Sequence, residues 1–430
     1  MKFLKRKALI LLSDNSRVDL EWILPLIDEM KQQGIKPVVF DMADPKLVLA
    51  NNYWMRALRL IIGEDCFLPS DIEPLPRKMS RMLMSLRAHK SRFVAIWGAL
   101  YFSWKSPIYW FPSIALWRRR CLDAAQRTLI ENVVAVYVGI RDEEFPAGTG
   151  EAEFLEFARK HSILIIGYPS VVDHEIPLKS MMKLDLALAN TKEQALDWQR
   201  VTKQRVLEVT PPKYTRRWLR SLPSLHHDVC DSEEYVPHKQ KTALAILKND
   251  TSIVWNGIEF HETASQMLAR LVEDGYYVLV KFHPRQTEVA QARLLAEFDR
   301  SDYCVVEGPL IYWASRVNRV VSLFSGGVLD SLAAGRVAAL YWPMSEQYNE
   351  KVQTGEVSAV YARDDGHGNL VTKFNKFVQE ISGPTFCLPE DVGVDSAQHK
   401  AFRTLYEIRE DNSELHKYVV ALSDERRRKG

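Results

Sequence analysis

The apolar positions of the first forty residues change period twice. ALILL (8–12) is an unbroken apolar run, a Ser-Asp-Asn-Ser turn follows, and Leu20, Ile23, Leu24 and Ile27 then recur at the spacing of one helix face. Gly34 stops that helix, and KPVVFD (36–41) supplies a second strand-like run. Further runs at 133–140, 162–170 and 185–190 alternate with the helical segments EAEFLEFARKH and TKEQALDWQRV. This rhythm predicts a parallel sheet with helices on both faces. The pattern breaks over PPKYTRRWLRSLPSLHHDVCDSEEYVPHKQK (211–241). A second series then begins with TALAIL, ETASQMLARLVEDG, YYVLVKF, EVAQARLLAEF and DYCVVEG, and continues through IYWASRV, RVVSLF, VLDSLAAG and VAALYW. The expected class is α/β, with two Rossmann-like lobes facing each other across a cleft. The amino-terminal lobe spans 1–215, a linker spans 216–240, the second lobe spans 241–395 and charged helices close the chain over 396–430.

Composition narrows the function classes. A chain of 430 residues with an apolar fraction of 47% has material for two or three cores, which excludes global disorder. A formal net charge of +2 argues against a dedicated nucleic-acid binder. The five cysteines are scattered, with no CxxC pair or zinc spacing, which fits a reducing cytoplasm. The opening MKFLKRKALILLSDN has a basic start, but its apolar run is short and ends at Asp14 and Asn15, so it reads as a first strand and not as a signal peptide. The first βα turn lacks G-x-G-x-x-G, so no dinucleotide fingerprint stands there.

One stretch departs from the average. From Pro74 to Leu122 there is no Asp or Glu, while cations recur up to the run Arg118, Arg119, Arg120. Aromatic residues, Trp104 and Trp110 among them, interleave with these charges. Basic charge mixed with Trp and Tyr suits anionic headgroups and the bilayer interface, whereas Lys105 and Pro107 interrupt any spanning run. A peripheral membrane contact over 77–120 is the expectation, with an acceptor-cleft wall plus ordinary core as the alternative.

The second series carries the candidate chemistry. In YYVLVKFHPRQ (276–286) a strand runs straight into His283 and Pro284, and the proline keeps a helix from starting at once. If that strand is parallel, its carboxyl end opens on the ligand crevice, with Lys281 and Arg285 adding positive charge. In RVVSLFSGGVLDSLAAG (319–335), Ser325, Gly326 and Gly327 stand between a strand and a helix. That arrangement suits a phosphate near a helix start, with the Ser325 hydroxyl adding a bond; a plain helix cap is the alternative. Asp330 is either a ribose contact or an exposed helix carboxylate. EGPLIYW (307–313) is a loop that presents backbone groups, at Pro309 and Leu310, to a base edge.

A His-Pro at a strand end, a Pro-Leu-x-Tyr-like loop and Ser-Gly-Gly opening a helix resemble the donor lobe of GT-B glycosyltransferases. More narrowly, LKNDTSIVWNG (247–257) ahead of KFHP resembles the retaining β-Kdo transferases of bacterial capsule and lipopolysaccharide synthesis. The resemblance runs from Leu247 to Trp342 and is weak over the amino-terminal lobe. It implies a CMP-β-Kdo donor and a carboxylate nucleophile, Asp250, attacking the anomeric carbon with net retention. A covalent glycosyl intermediate splits one substitution into two, which a carboxylate is suited to do. As a residue, Asp250 also fits a turn or cap. The acceptor needs a base, for which Glu175 in SVVDHEIP is preferred over Glu143 and Glu144. No Asp-x-Asp element stands where a sugar-nucleotide metal would be held, and Asp364-Asp365 falls in an expected surface loop. Catalysis without metal or other cofactor is therefore expected, at the cytoplasmic face of a bacterial inner membrane, on a lipid-linked glycan. UDP-N-acetylglucosamine 2-epimerases share the Pro-Leu-x-Tyr and Ser-Gly-Gly elements, and polysialyltransferases and CDP-glycerol transferases share the His-Pro element, so other CMP-, CDP- or UDP-sugar chemistry is the rival reading.

Overall fold

In the computed structural model the described residues are 6–12, 16–41, 53–63, 132–140, 151–169, 183–230, 241–248, 260–283, 286–323, 325, 327–340 and 397–429. The chain divides into one unit of Met1–Lys213 with Arg409–Gly430, and another of Tyr214–Ile408.

The first unit is built on a six-stranded sheet: β1 (Lys7–Leu12), β2 (Lys36–Asp41), β3 (Val133–Ile140), β4 (Leu164–Pro169), β5 (Leu186–Ala189) and β6 (Val206–Glu208). Their order is β2-β1-β3-β4-β5-β6 and every neighbouring pair is parallel. The continuous apolar runs follow from this, because a parallel strand is covered on both faces. All eight residues of β3 are buried, as are all six of β4. Helices α1 (Ser16–Gln32), α2 (Tyr53–Ile62), α3 (Glu151–Lys160) and α4 (Lys192–Thr202) return the chain between strands. The Thr191 hydroxyl starts α4 by accepting from the Gln194 N–H at 3.1 Å. Trp22 of α1 stacks on Tyr168 of β4 with ring centroids 5.4 Å apart, and its indole donates to Asn190 at 2.9 Å. That bond satisfies a polar atom which the core would otherwise strand.

The second unit holds a five-stranded parallel sheet of β7 (Thr242–Ile246), β8 (Tyr277–Lys281), β9 (Tyr303–Val305), β10 (Arg319–Ser322) and β11 (Ala338–Leu340). Its order is β11-β10-β7-β8-β9. The helices are α5 (Arg216–Val229), α6 (Phe260–Glu273), α7 (Glu288–Leu295), α8 (Leu310–Ala314), α9 (Gly327–Ala333) and α10 (Ala397–Leu405). The last helix of the chain, α11 (Ser413–Lys429), belongs to the first unit.

Two boundary expectations are corrected. The segment 216–240 is not a linker throughout: 216–229 is helix α5, whose buried Trp218, Leu222, Leu225 and Val229 form one apolar stripe. Pro223 and two histidines break up its composition, but helix periodicity survives them. The closing segment 396–430 is not one appendage either, since its two helices serve different units. Tyr214 packs edge-on to Phe402 and Tyr406, which holds α10 in the second unit. In the first unit, Glu29 of α1 accepts from the Asn412 N–H at 3.1 Å, and the Asn412 amide donates to the Thr210 carbonyl at 3.2 Å. The basic–aromatic segment 77–120 lies outside the described residues. Among those described, no helix is long and apolar enough to cross a membrane.

Gly167 of β4 marks the tightest packing of the first sheet. A Cβ placed there meets Leu184 Cδ1 closely and lies 2.8 Å from Ile140 Cγ1. Both neighbours are buried, so neither has room to move aside. Gly167→Ala is expected to destabilise the protein by about 1–3 kcal/mol through overpacking, read as a lower urea midpoint at unchanged slope.

Candidate active site

In the second unit the chain builds β7, β8 and β9 outward on one side, then crosses back to lay β10 and β11 on the other. The loops leaving β7 and β10 therefore part in opposite directions, and such a reversal on the carboxyl edge is where open α/β sheets bind ligands. Backbone bonds hold the strand ends level: Leu247 N–H donates to the Lys281 carbonyl at 3.0 Å, and Leu323 N–H to the Ile246 carbonyl at 2.9 Å. Lys248, His283 and Ser325 consequently leave the sheet along one edge, as KFHP and Ser-Gly-Gly predicted. Half-buried His283 accepts on its carbonyl from the Gln286 N–H at 2.9 Å, closing a turn before Thr287 caps α7. Lys281 Nζ lies 3.5 Å from the Val306 carbonyl, so this ammonium reaches along the same edge toward the end of β9.

The Ser-Gly-Gly turn divides its work. Ser325 Oγ accepts from the Gly327 N–H at 3.2 Å, the capping arrangement, and its own hydroxyl proton is a donor. Gly327 serves packing: a Cβ there lies 2.7 Å from Leu310 Cδ1 and 3.2 Å from Ile246 Cγ2. A side chain there would have to displace the Leu310 side chain of α8 and press on Ile246 at the end of β7. The side chain of Leu310 is buried against that glycine, so any contact it makes with a base edge comes from its backbone. Asp330 corrects its expectation. It is not an exposed helix carboxylate: it is buried and accepts from the Tyr214 hydroxyl at 2.8 Å.

The EGPLIYW loop is set by its own residues. Gly308 takes φ +83°, a left-handed conformation natural to glycine, and Pro309 caps α8 in extended geometry. The Trp313 indole donates to the Glu307 carbonyl, pinning the loop from within. Next to it stands a cluster that the sequence reading missed. His226 of α5 stacks on Tyr312 with centroids 3.9 Å apart, and the Arg316 guanidinium lies 3.7 Å from the centre of the same ring. Two groups at such distances cannot share one face, so Tyr312 is sandwiched between imidazole and guanidinium. Burial, helped by the nearby Arg316 and Lys281 cations, lowers the His226 pKa to about 4. The signal that would have found it was the apolar stripe of α5, hidden inside the supposed linker.

Of the remaining candidates, Asp250, Glu175, Glu143, Glu144, Gly326, Arg118, Arg119, Arg120, Trp104 and Trp110 lie outside the described residues. Among the described residues no group of three or more His, Cys, Asp or Glu is placed to hold a metal ion.

The neutral state of His226 has a pH signature. An unfolded histidine titrates near 6.5 and the folded one near 4, so the unfolded chain binds the extra proton between those values. Stability from this residue is present above pH 6.5 and is lost as pH falls toward 4. His226→Phe keeps a stacking ring and removes the titration. The wild type is expected to lose on the order of 2–3 kcal/mol more stability than the variant over that window, measured by urea unfolding at each pH. Parallel losses in the two proteins would mean that His226 titrates as it does in the unfolded chain.

No protein-family model matches the chain, and no curated protein does. Among solved structures, it is similar to a crystal structure described as a putative UDP-N-acetylglucosamine 2-epimerase from Listeria monocytogenes, at 10% identity and a TM-score of 0.48, over 95% of this chain and 94% of that one. It is similar to UGT2 of Phytolacca americana, complexed with UDP-2-fluoro-glucose and pterostilbene, at 12% identity and a TM-score of 0.46, over 94% and 93% of the two chains. MurG of Acinetobacter baumannii is similar at 12% identity and a TM-score of 0.42, over 98% and 99%. The two parallel sheets and their strand orders, not these likenesses, define the fold.

Proposed function

We propose that the chain is a glycosyltransferase of GT-B type whose second unit holds a nucleotide-sugar donor at the carboxyl edge of its sheet. One observation carries this reading: the strand reversal between β7 and β10 gathers the end of β7, His283 after β8 and the Ser325 turn after β10 along one carboxyl edge of the sheet. Sugar transfer needs the negative charge that grows on the leaving phosphate to be met by fixed donors, and a histidine with a serine hydroxyl supplies them. Lys281 adds a cation at the same edge.

The finer reading rests on LKNDTSIVWNG, which begins as β7 ends. On that reading the donor is CMP-β-Kdo and the acceptor a lipid-linked bacterial surface glycan, worked on at the cytoplasmic face of the inner membrane without a metal. An Asp250 carboxylate oxygen attacks the anomeric carbon, and the bond to phosphate breaks with its electron pair on CMP, steadied by His283. The acceptor hydroxyl then attacks the glycosyl–Asp250 ester, Glu175 takes its proton, and the carboxylate leaves with net retention. Segment 77–120, with its arginine run, is proposed to face the lipid-linked acceptor.

Thermal shift with CMP, CDP and UDP tests the donor, because a ligand at about 100 times its Kd stabilises by ~2.7 kcal/mol. CMP is expected to raise the melting temperature; a rise with UDP alone would replace this reading by a UDP-sugar enzyme of epimerase or transferase type. His283→Ala and Ser325→Ala are each expected to lower turnover on the order of 10²–10³-fold with the fold retained, and wild-type turnover in both would make them structural. Asp250→Asn should abolish transfer yet still bind CMP. Mass spectrometry of the wild type during slow turnover should find one sugar unit on the peptide containing Asp250, and an adduct elsewhere would refute that assignment.

A further inference from the structure

The opposite edge of the first unit's sheet carries a different chemistry. Helices in a parallel sheet end where the next strand begins, so the helix-to-strand connections all fall on the amino edge. In the first unit the described ones are KQQGIK (31–36) after α1, RKHSI (159–163) after α3, KLD (183–185) before β5 and KQR (203–205) before β6, which together hold seven cations and one acid, Asp185, itself paired with Arg426 at 2.6 Å. Cations near helix ends answer the dipole, so each alone is unremarked. The second unit is the control, because its helices end the same way. Its connections EDG (273–275), EFDRSD (297–302), SRVNR (315–319) and GRV (335–337) hold five acids and four arginines, close to neutral where the first unit's edge is strongly positive. The one-sided charge of the first unit is therefore not a product of the fold.

Three further features fall on that edge. The Arg427 guanidinium of α11 donates to the Val133 carbonyl where β3 starts, and Arg6, just before β1, pairs with Asp424, so the end of α11 adds Arg428 to the same rim. Two large aliphatic residues stand exposed beside the charges: Leu60 in the last turn of α2, at 52%, and Val201 in the last turn of α4, at 42%. Lys31 Nζ donates to the Ile61 carbonyl, and Lys7 N–H to the Asn132 carbonyl at 2.9 Å, so the chain leaves toward residue 64 and returns at 132 on this same edge. The sequence between those points is the basic–aromatic one. With six strands at about 4.8 Å spacing, the rim is ~24 Å wide.

We propose that the amino edge of the first unit's sheet is a docking face for an anionic lipid bilayer. Exposed cations interspersed with exposed aliphatic side chains match headgroups above and acyl chains below, whereas a phosphodiester backbone makes no use of Leu60 and Val201. The inference stands apart from the donor assignment, since vesicle binding involves neither nucleotide nor sugar.

Sedimentation of the full chain with vesicles tests it. Wild type is expected to bind vesicles of phosphatidylcholine with about 30% phosphatidylglycerol, to be released by salt, and to leave pure phosphatidylcholine unbound. Neutralising four cations of this edge together, Lys160→Gln, Arg205→Gln and Arg428→Gln at exposed positions and Lys36→Gln at a half-buried one, is expected to weaken binding by at least about tenfold. The matched variant on the second unit's amino edge, Lys241→Gln, Arg293→Gln, Arg300→Gln and Arg336→Gln, changes net charge equally and is expected to bind as wild type does. Equal weakening in both variants would reduce the effect to net charge and overturn the face. Wild type that binds neutral vesicles as well as anionic ones, or a DNA duplex more tightly than anionic vesicles, would overturn the lipid assignment. A Leu60→Ser and Val201→Ser variant with unaltered binding would remove the apolar part of the argument and with it the choice of a bilayer.

Discussion

A parallel strand pair cannot be closed by a short turn, and the rest of this molecule follows from that constraint. Each strand must be reached by a crossover, so every loop falls on one of two edges and the edges meet different demands. At the carboxyl edge a strand hands over to a helix start, where backbone N–H groups are unpaired. At the amino edge a helix end hands over to a strand, where carbonyls are unpaired. Both units obey this rule, and their chemistry sorts by it. Ser325 and His283 stand at the first kind of edge, and Lys31, Lys160 and Arg205 at the second.

What the carboxyl edge of the second unit gathers depends on strand order more than on any single side chain. Had β10 been added beyond β9, the loops after β7 and β10 would have been separated by two strands. Placing β10 beside β7 makes Ile246 a common neighbour: it pairs with Ser322 in one direction and Lys281 in the other, and its side chain stands against Gly327. Glycine at 327 thus serves packing at the same crossing that makes the reversal. This explains why Ser-Gly-Gly reads as a phosphate motif in sequence while one of its glycines answers to a buried isoleucine and Leu310.

The alternation of period in the chain foretold both parallel sheets because their strands are covered on both faces, as the eight buried residues of VVAVYVGI are. His-Pro and Ser-Gly-Gly were legible as strand-end elements for a local reason: proline and glycine act on the backbone within a residue or two. Contacts over long separations were not legible. The exposed helix carboxylate that Asp330 offered in sequence is in fact buried, because Tyr214, 116 positions away, supplies a hydroxyl to it. Helix α5 was hidden by Pro223 and by His226 and His227, polar residues that composition assigns to a loop. The stacking of His226 on Tyr312 turns one of them into core.

The closing helices carry the same lesson into energetics. In sequence 396–430 reads as charged closing helices, and α11 is fixed to the first unit by polar atoms that are buried. Glu29, 3% exposed, takes the Asn412 N–H, and His416 Nε2, 1% exposed at its side chain, stands 3.6 Å from the same carboxylate oxygen. Burying a carboxylate is costly unless it is hydrogen-bonded, and the Asn412 N–H meets that need for one oxygen of Glu29. Apolar packing would tolerate sliding of α11; a buried carboxylate that holds the backbone N–H just before the helix tolerates little. The register set there carries down the helix to its far end, where Arg426 meets Asp185 at 2.6 Å and Arg427 reaches the start of β3. The rim charges of α11 are therefore placed by a buried contact three helical turns away, and the interior of the first unit determines what its amino edge presents.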